Sequence, residues 1–147
     1  VGAAAKADLV RIYRLQGIPA DMTPKRFPIL PYESEHPTFG STELKDEDMD
    51  RFMGSWREFP VDSSNGALCH FPLYGFQFYK RNKLIFETSV CWACENFYVD
   101  TWFFGSNWIS FDSTSQPSRE LFEFCDALLP YDRNYIERIK KEREAFI

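Results

Sequence analysis

Three patterns in the sequence predict an α+β fold: an antiparallel β-meander of about four to five strands packed against two to three helices, in a single domain spanning residues 1–147. Residues 74–90 alternate in polarity around a turn, as a β-hairpin does. Two segments, 49–56 and 121–129, carry apolar residues at helical spacing. The helical patterns flank the strand-rich middle, so a simple βαβ alternation does not fit.

Residues 8–15, DLVRIYRL, read as a first strand. Val10 and Ile12 share one face and Leu9, Tyr13 and Leu15 the other, and apolar content on both faces suits an interior strand. Gly17 and Pro19 end it. Pro24, Pro28, Pro31 and Pro37 then favour extended or turning chain, with Phe27 and Ile29 forming a short edge strand.

Ser41 and Thr42 are the expected caps of a helix over residues 43–57, where Glu43, Asp46, Glu47 and Asp48 set negative charge at the N-terminal end. Met49, Phe52, Met53 and Trp56 form its apolar stripe, and Pro60 stops it. The acids on its outer face read as a solvated surface. Residues 61–68 read as a loop.

In the hairpin, Tyr74, Phe76 and Phe78 share one face of the first strand. A three-residue loop at Arg81, Asn82 and Lys83 sets Phe78 opposite Phe86, Phe76 opposite Thr88 and Tyr74 opposite Val90, which joins the apolar faces. A two-residue loop shifts the register and mixes them, so the first register is expected. Segments 96–103 and 107–111 read as two more strands. A helix then opens at Ser115–Ser118, with Leu121, Phe124, Cys125, Leu128 and Leu129 in its stripe and Pro130 as its end. A last helix starts at Asp132 and carries Tyr135, Ile136 and Ile139.

Composition supports a packed domain: 44% of residues are hydrophobic and 18% aromatic, with 15 Phe. The formal net charge of −5 argues against nucleic acid, whose phosphates demand concentrated Lys and Arg. Lys80, Arg81 and Lys83 read as a solvated turn, and Lys140, Lys141 and Arg143 as helix-surface partners of Glu142 and Glu144. No segment approaches the run of about 20 apolar residues that spans a bilayer. With only 4 cysteines and no hydrophobic signal core in Val1–Lys6, a cytoplasmic protein with reduced thiols is expected. The secreted alternative stays open because the chain does not begin with Met.

The chemically richest segment is Cys91-Trp92-Ala93-Cys94, with Cys69 and His70 ahead of the hairpin. In the expected register His70 lies opposite Cys94; in the other, Cys69 does. Pro72 interrupts the ladder between them and the hairpin, and Cys91 and Cys94 converge only where the chain turns. Three readings compete. A structural zinc site uses Cys69, Cys91 and Cys94 with His70, Cys125 or His36 as the remaining donor. A thioredoxin-like redox site lacks its helix, since Phe97, Tyr98 and Val99 favour a strand and Glu95 raises the thiol pKa. Buried thiols or one disulfide form the third reading, and Cys125 sits in a core stripe. Glu87, Glu95, Asp100 and Asp112 have no spacing that singles out an acid–base pair.

These observations favour a non-catalytic protein-binding module, inhibitor- or immunity-like, with Cys69, His70, Cys91 and Cys94 as a structural cluster. Another protein is the expected partner, with neither nucleic acid nor membrane; oligomeric state is left open. Trp92, Tyr98, Trp102 and Trp108 are the candidate binding residues, because Trp and Tyr anchor protein interfaces. No cofactor is expected under this reading. The alternative is a zinc- or thiol-dependent enzyme using the same cluster, and whether the chain is an enzyme stays open.

Overall fold

A computed structural model describes residues 6–15, 26–32, 34–59, 61–64, 69–101, 105–131 and 133–145. The first strand, β1 (Leu9–Arg14), lies where the sequence sets it and is interior. The short edge strand also forms: β2 (Arg26–Ile29) pairs with β3 (Ser34–Pro37) as a separate two-stranded hairpin. The other strands are β4 (Ser41–Glu43), β5 (Val61–Ser64), β6 (Tyr74–Lys80), β7 (Lys83–Cys91), β8 (Asn96–Thr101) and β9 (Gly105–Phe111). With β1 they form one seven-stranded antiparallel sheet in the order β4-β1-β6-β7-β8-β9-β5. The α+β class holds, but the sheet system is larger than the expected meander of four to five strands. β3, β4 and β5, the last inside the segment expected to be a loop, are the additions, too short and polar to give an apolar alternation of their own.

The β6–β7 hairpin contains both registers. Its turn is the two-residue loop Arg81-Asn82, with φ of 50° and 64°, and Lys80 faces Lys83. An irregularity between Phe78 and Tyr79 then shifts the ladder, so that Phe78 faces Phe86, Phe76 faces Thr88 and Tyr74 faces Val90. The expected aromatic pairing is therefore right and the expected loop length wrong. A bulge supplies the one-residue offset that keeps the apolar face intact.

The helices α1 (Asp46–Arg57) and α2 (Gln116–Leu128) cover one face of the sheet, and α3 (Arg133–Ala145) follows α2. Ser41 and Thr42 do not cap α1, because β4 claims them opposite Tyr13 and Ile12. Lys45 holds the cap position without a side-chain bond, while Asp46, Glu47 and Asp48 oppose the positive end of the helix dipole. Ser115 does cap α2, accepting from the amide of Ser118. Asp132 and the side chains of Tyr135, Ile136 and Ile139 lie outside the described residues.

Between helices and sheet, Phe52 and Trp56 of α1 and Leu121, Phe124 and Cys125 of α2 meet Val10, Ile12, Phe76, Phe78, Phe97 and Phe111. Phe52 packs edge-on to Phe76 at 5.0 Å, and Phe59 to Phe111 at 4.6 Å. Such rings each bury about 2–3 kcal/mol of transfer free energy before entropy is counted. Polar bonds fix the helix on this layer. The Trp92 indole donates to the Ser118 carbonyl at 3.0 Å, and the Tyr74 hydroxyl to the Leu129 carbonyl at 2.6 Å. Burial pushes the Tyr74 phenol well above its ordinary pKa, which keeps it a donor. Cys125 is fully enclosed, and burial pushes its thiol up too, so it is core as the stripe implies.

The other face of the sheet carries Arg11 and Tyr13 of β1, Gly75 and Gln77 of β6, Glu87 and Ser89 of β7, Tyr98 of β8 and Trp108 of β9, as strand alternation requires. The β2–β3 hairpin lies against it. Phe27 packs beside Tyr13 at 5.5 Å and directly over Gly75, whose missing side chain leaves room for the ring. At the hairpin's tip, Tyr32 reaches Trp108 at 6.0 Å.

Candidate functional site: a disulfide and histidine clasp beneath an aromatic face

The Cys-x-x-Cys segment is bent by a tight turn. β7 ends at Cys91, the chain turns through residues 92–95, and Asn96 opens β8 directly opposite Cys91. Glu95 takes a left-handed φ of 57° to close the turn, and its carboxylate accepts from the amide of Ser113 at 3.0 Å. This is the turn that convergence of Cys91 and Cys94 requires. The amide of Cys94 donates to Cys91 Sγ at 3.0 Å.

Cys94 is bonded to Cys69 in a disulfide that closes 25 residues of chain. The segment before β6 is thus a neighbour of the turn, as either register implies. The link is covalent rather than a continued ladder, since β6 begins only at Tyr74, past Pro72. This pairing corrects the metal reading. Cys69 and Cys94 carry no thiolate to offer, and among the described residues no group of three or more His, Cys, Asp or Glu is placed to hold a metal ion. It also corrects the cytoplasmic expectation, because structural disulfides belong to oxidising compartments and are rare in the cytosol. Among the described residues, no helix is long and apolar enough to cross a membrane.

His70 lies between two strands. Its Nδ1 is 2.8 Å from Asn96 Oδ1 and its Nε2 is 2.8 Å from Ser89 Oγ. The Asn96 amide in turn donates to the Cys69 carbonyl at 2.8 Å. That network assigns the tautomer: Nδ1–H donates to Asn96, and Nε2 accepts from the Ser89 hydroxyl. Trp108 meets the imidazole edge-on at 5.1 Å. Burial lowers the His70 pKa to about 4, with the Asn96 bond opposing that shift, so the ring is neutral at pH 7.

Ser89, His70 and Asn96 have the connectivity of a hydrolytic triad, but their environment opposes that chemistry. Ser89 is 3% exposed within a strand. Asn96 brings no negative charge to stabilise an imidazolium, and a base of pKa about 4 is a weak acceptor for a hydroxyl proton. What the arrangement does well is hold the loop at residues 69–73 to β7 and β8.

The aromatic candidates separate by face. Trp92 is 7% exposed in the helix–sheet core and leaves the candidate set. Tyr98 and Trp108 are paired across β8 and β9 on the opposite face, with ring centroids 5.3 Å apart, and both are half-buried. Trp102 lies outside the described residues. Tyr32 joins the stack at Trp108 and is 53% exposed. Sequence reasoning missed Tyr32, which only the folded β2–β3 hairpin brings to this face. It also missed Ser89 and Asn96, whose signal was available in the ladder: both lie on the cysteine side of their strands. His36 sits in β3, with Nδ1 3.4 Å from the Pro37 carbonyl.

The carboxylates weighed for acid–base work are held locally. Glu87 accepts from Gln77 at 3.0 Å, and Asp112 accepts from Thr114, which lowers its pKa. Asp62 and Asp100 are exposed and lie on the aromatic face, opposite Ser110 and Ser106 in the ladders. Comparison with family models, with curated proteins and with solved structures returns no match.

Proposed function

We propose that the chain is a non-catalytic binding module, inhibitor- or immunity-like, that docks another protein on the sheet face opposite the helices. The observation that carries this reading is the Tyr32–Trp108–Tyr98 stack, solvent-facing at Tyr32 and supported from below by His70. Rings held in place before binding lose little conformational freedom on contact, which is why Tyr and Trp serve as anchors. Asp62 and Asp100 on the same face, together with the net charge of −5, suit a basic partner. The disulfide and the His70 network are the scaffold of this face in the proposal, not its chemistry.

The test is capture from an extract of the source organism on immobilised wild type, alongside Trp108→Ala and Tyr98→Ala variants of matched thermal stability. The expected partner is a basic protein that wild type retains. Its affinity, titrated after purification, falls about 30-fold with Trp108→Ala, equivalent to about 2 kcal/mol at an anchor position. A partner whose affinity is the same for wild type and both variants removes this face from the proposal.

A further inference from the structure

We propose that Cys69, Cys91 and Cys94 form one thiol–disulfide exchange set, in which the Cys69–Cys94 bond of this structure alternates with a Cys91–Cys94 bond. The inference does not depend on which partner the aromatic face binds.

The turn supplies the geometry. Cys91 is the last residue of β7, and the turn through residues 92–95 brings the Cys94 amide to 3.0 Å from Cys91 Sγ. The Cys91 sulfur therefore lies against the backbone of Cys94, within the same turn that carries the Cys69–Cys94 bond. The N–H donated to the Cys91 sulfur offers a bond to the form that attacks a disulfide, the thiolate, and acts against the cost of burying that side chain at 1% exposure. The surroundings are apolar, with Ala93 and Phe71 packed beside Cys91 and Cys94, so exchange takes place within one enclosed cluster.

The step balances without any outside oxidant or reductant. The Cys91 sulfur lone pair attacks Cys94 Sγ as its thiol gives up its proton, and this is the proton that Cys69 takes up. The Cys91–Cys94 bond forms as the Cys69–Cys94 bond breaks, and the bonding pair leaves on Cys69, which takes up a proton. One disulfide and one thiol are present before and after. The product leaves residues 69–73 held without a covalent link, by the core packing of Leu73 and by the bonds between Asn96 and the Cys69 carbonyl and between His70 and both Ser89 and Asn96. Exchange thus removes the covalent half of the clasp and keeps the polar half.

The experiment equilibrates the folded protein in glutathione buffers from oxidising to reducing poise, quenches with acid and alkylates the thiols. Chymotrypsin then cuts after Trp92, separating Cys91 from Cys94, and mass spectrometry maps the bonds. Expected are both Cys69–Cys94 and Cys91–Cys94 in wild type, with Cys125 a thiol throughout. Cys91→Ser is expected to hold Cys69–Cys94 alone, and Cys69→Ser to form Cys91–Cys94. A wild-type map with Cys69–Cys94 as its single bond at every poise overturns the proposal. So does a Cys69→Ser protein of native circular dichroism that keeps Cys91 and Cys94 as thiols under oxidising poise. Bonds to Cys125 would trace any mixture to unfolding and overturn it as well.

Discussion

A histidine packed against Trp108, with both ring nitrogens engaged, gains a proton only by giving up the bond that Nε2 accepts from Ser89. The unfolded chain protonates near pH 6.5 and the folded protein near pH 4, so between those values the unfolded state binds more protons. Stability from this residue is accordingly complete above about pH 6.5, falls as the pH drops through the window, and levels off below about pH 4. The shift corresponds to about 3 kcal/mol at most. Urea titrations at pH 7 and pH 4.5 are expected to show a larger acid loss for wild type than for His70→Asn, which lacks the titrating group; equal losses would contradict the assignment. At Gly75, an added Cβ would stand 2.6 Å from the Phe27 ring. Gly75→Ala should cost about 1–3 kcal/mol in chemical denaturation, by displacing the hairpin that presents Tyr32. Neither residue announced its role in the sequence. His70 was legible as a neighbour of the turn, from hairpin register. Its true partners depend on a disulfide that local pattern does not encode, because four cysteines in a chain of this length leave pairing, metal and free thiol all open.

At the scale of elements, the readable parts were those whose own side chains carry the periodicity. α2 shows its stripe, its cap and its terminating proline, and each of them stands in the fold. Ser115 also accepts for Ser118, whose carbonyl anchors the Trp92 indole, so the cap and the sheet attachment are adjacent. Ser115→Ala is expected to lower stability by about 1 kcal/mol, measured by thermal or urea unfolding, against a near-neutral change at exposed Gln116→Ala. α1 was placed by its stripe, but its start was misread. Ser41 and Thr42 look like caps locally, whereas β1 offers them ladder bonds, and the tertiary pairing wins. The β6–β7 turn was misread for a related reason. Arg81 and Asn82 both adopt positive φ, which composition alone does not signal at arginine, and the compensating bulge is invisible until both strands are paired.

Across the whole molecule, the sheet divides its aromatic residues between two faces: those sealed beneath α1 and α2 on one, and on the other the Tyr13–Phe27 pair under the β2–β3 hairpin and the Tyr32–Trp108–Tyr98 stack. The sequence shows the abundance of rings but not this division, since β3 and the strand at 61–64 carry no apolar periodicity and only the folded hairpin brings Tyr32 to the second face. The disulfide closes 25 residues between the loop before β6 and the β7–β8 turn. Restricting the unfolded chain over a loop of that size is worth about 3 kcal/mol. Thermal unfolding with and without a phosphine reductant is expected to show a lowered midpoint on reduction, and a Cys69→Ala/Cys94→Ala variant should lose the sensitivity. The central claim, that the aromatic face is the docking surface, is tested most directly by site-specific photo-crosslinking to the captured partner. A benzophenone amino acid at position 32, on the hairpin tip, should form the crosslink, while the same group at exposed position 47 on α1 should not. Crosslinking from position 47 with none from position 32 would place the partner on the helical side and contradict the account.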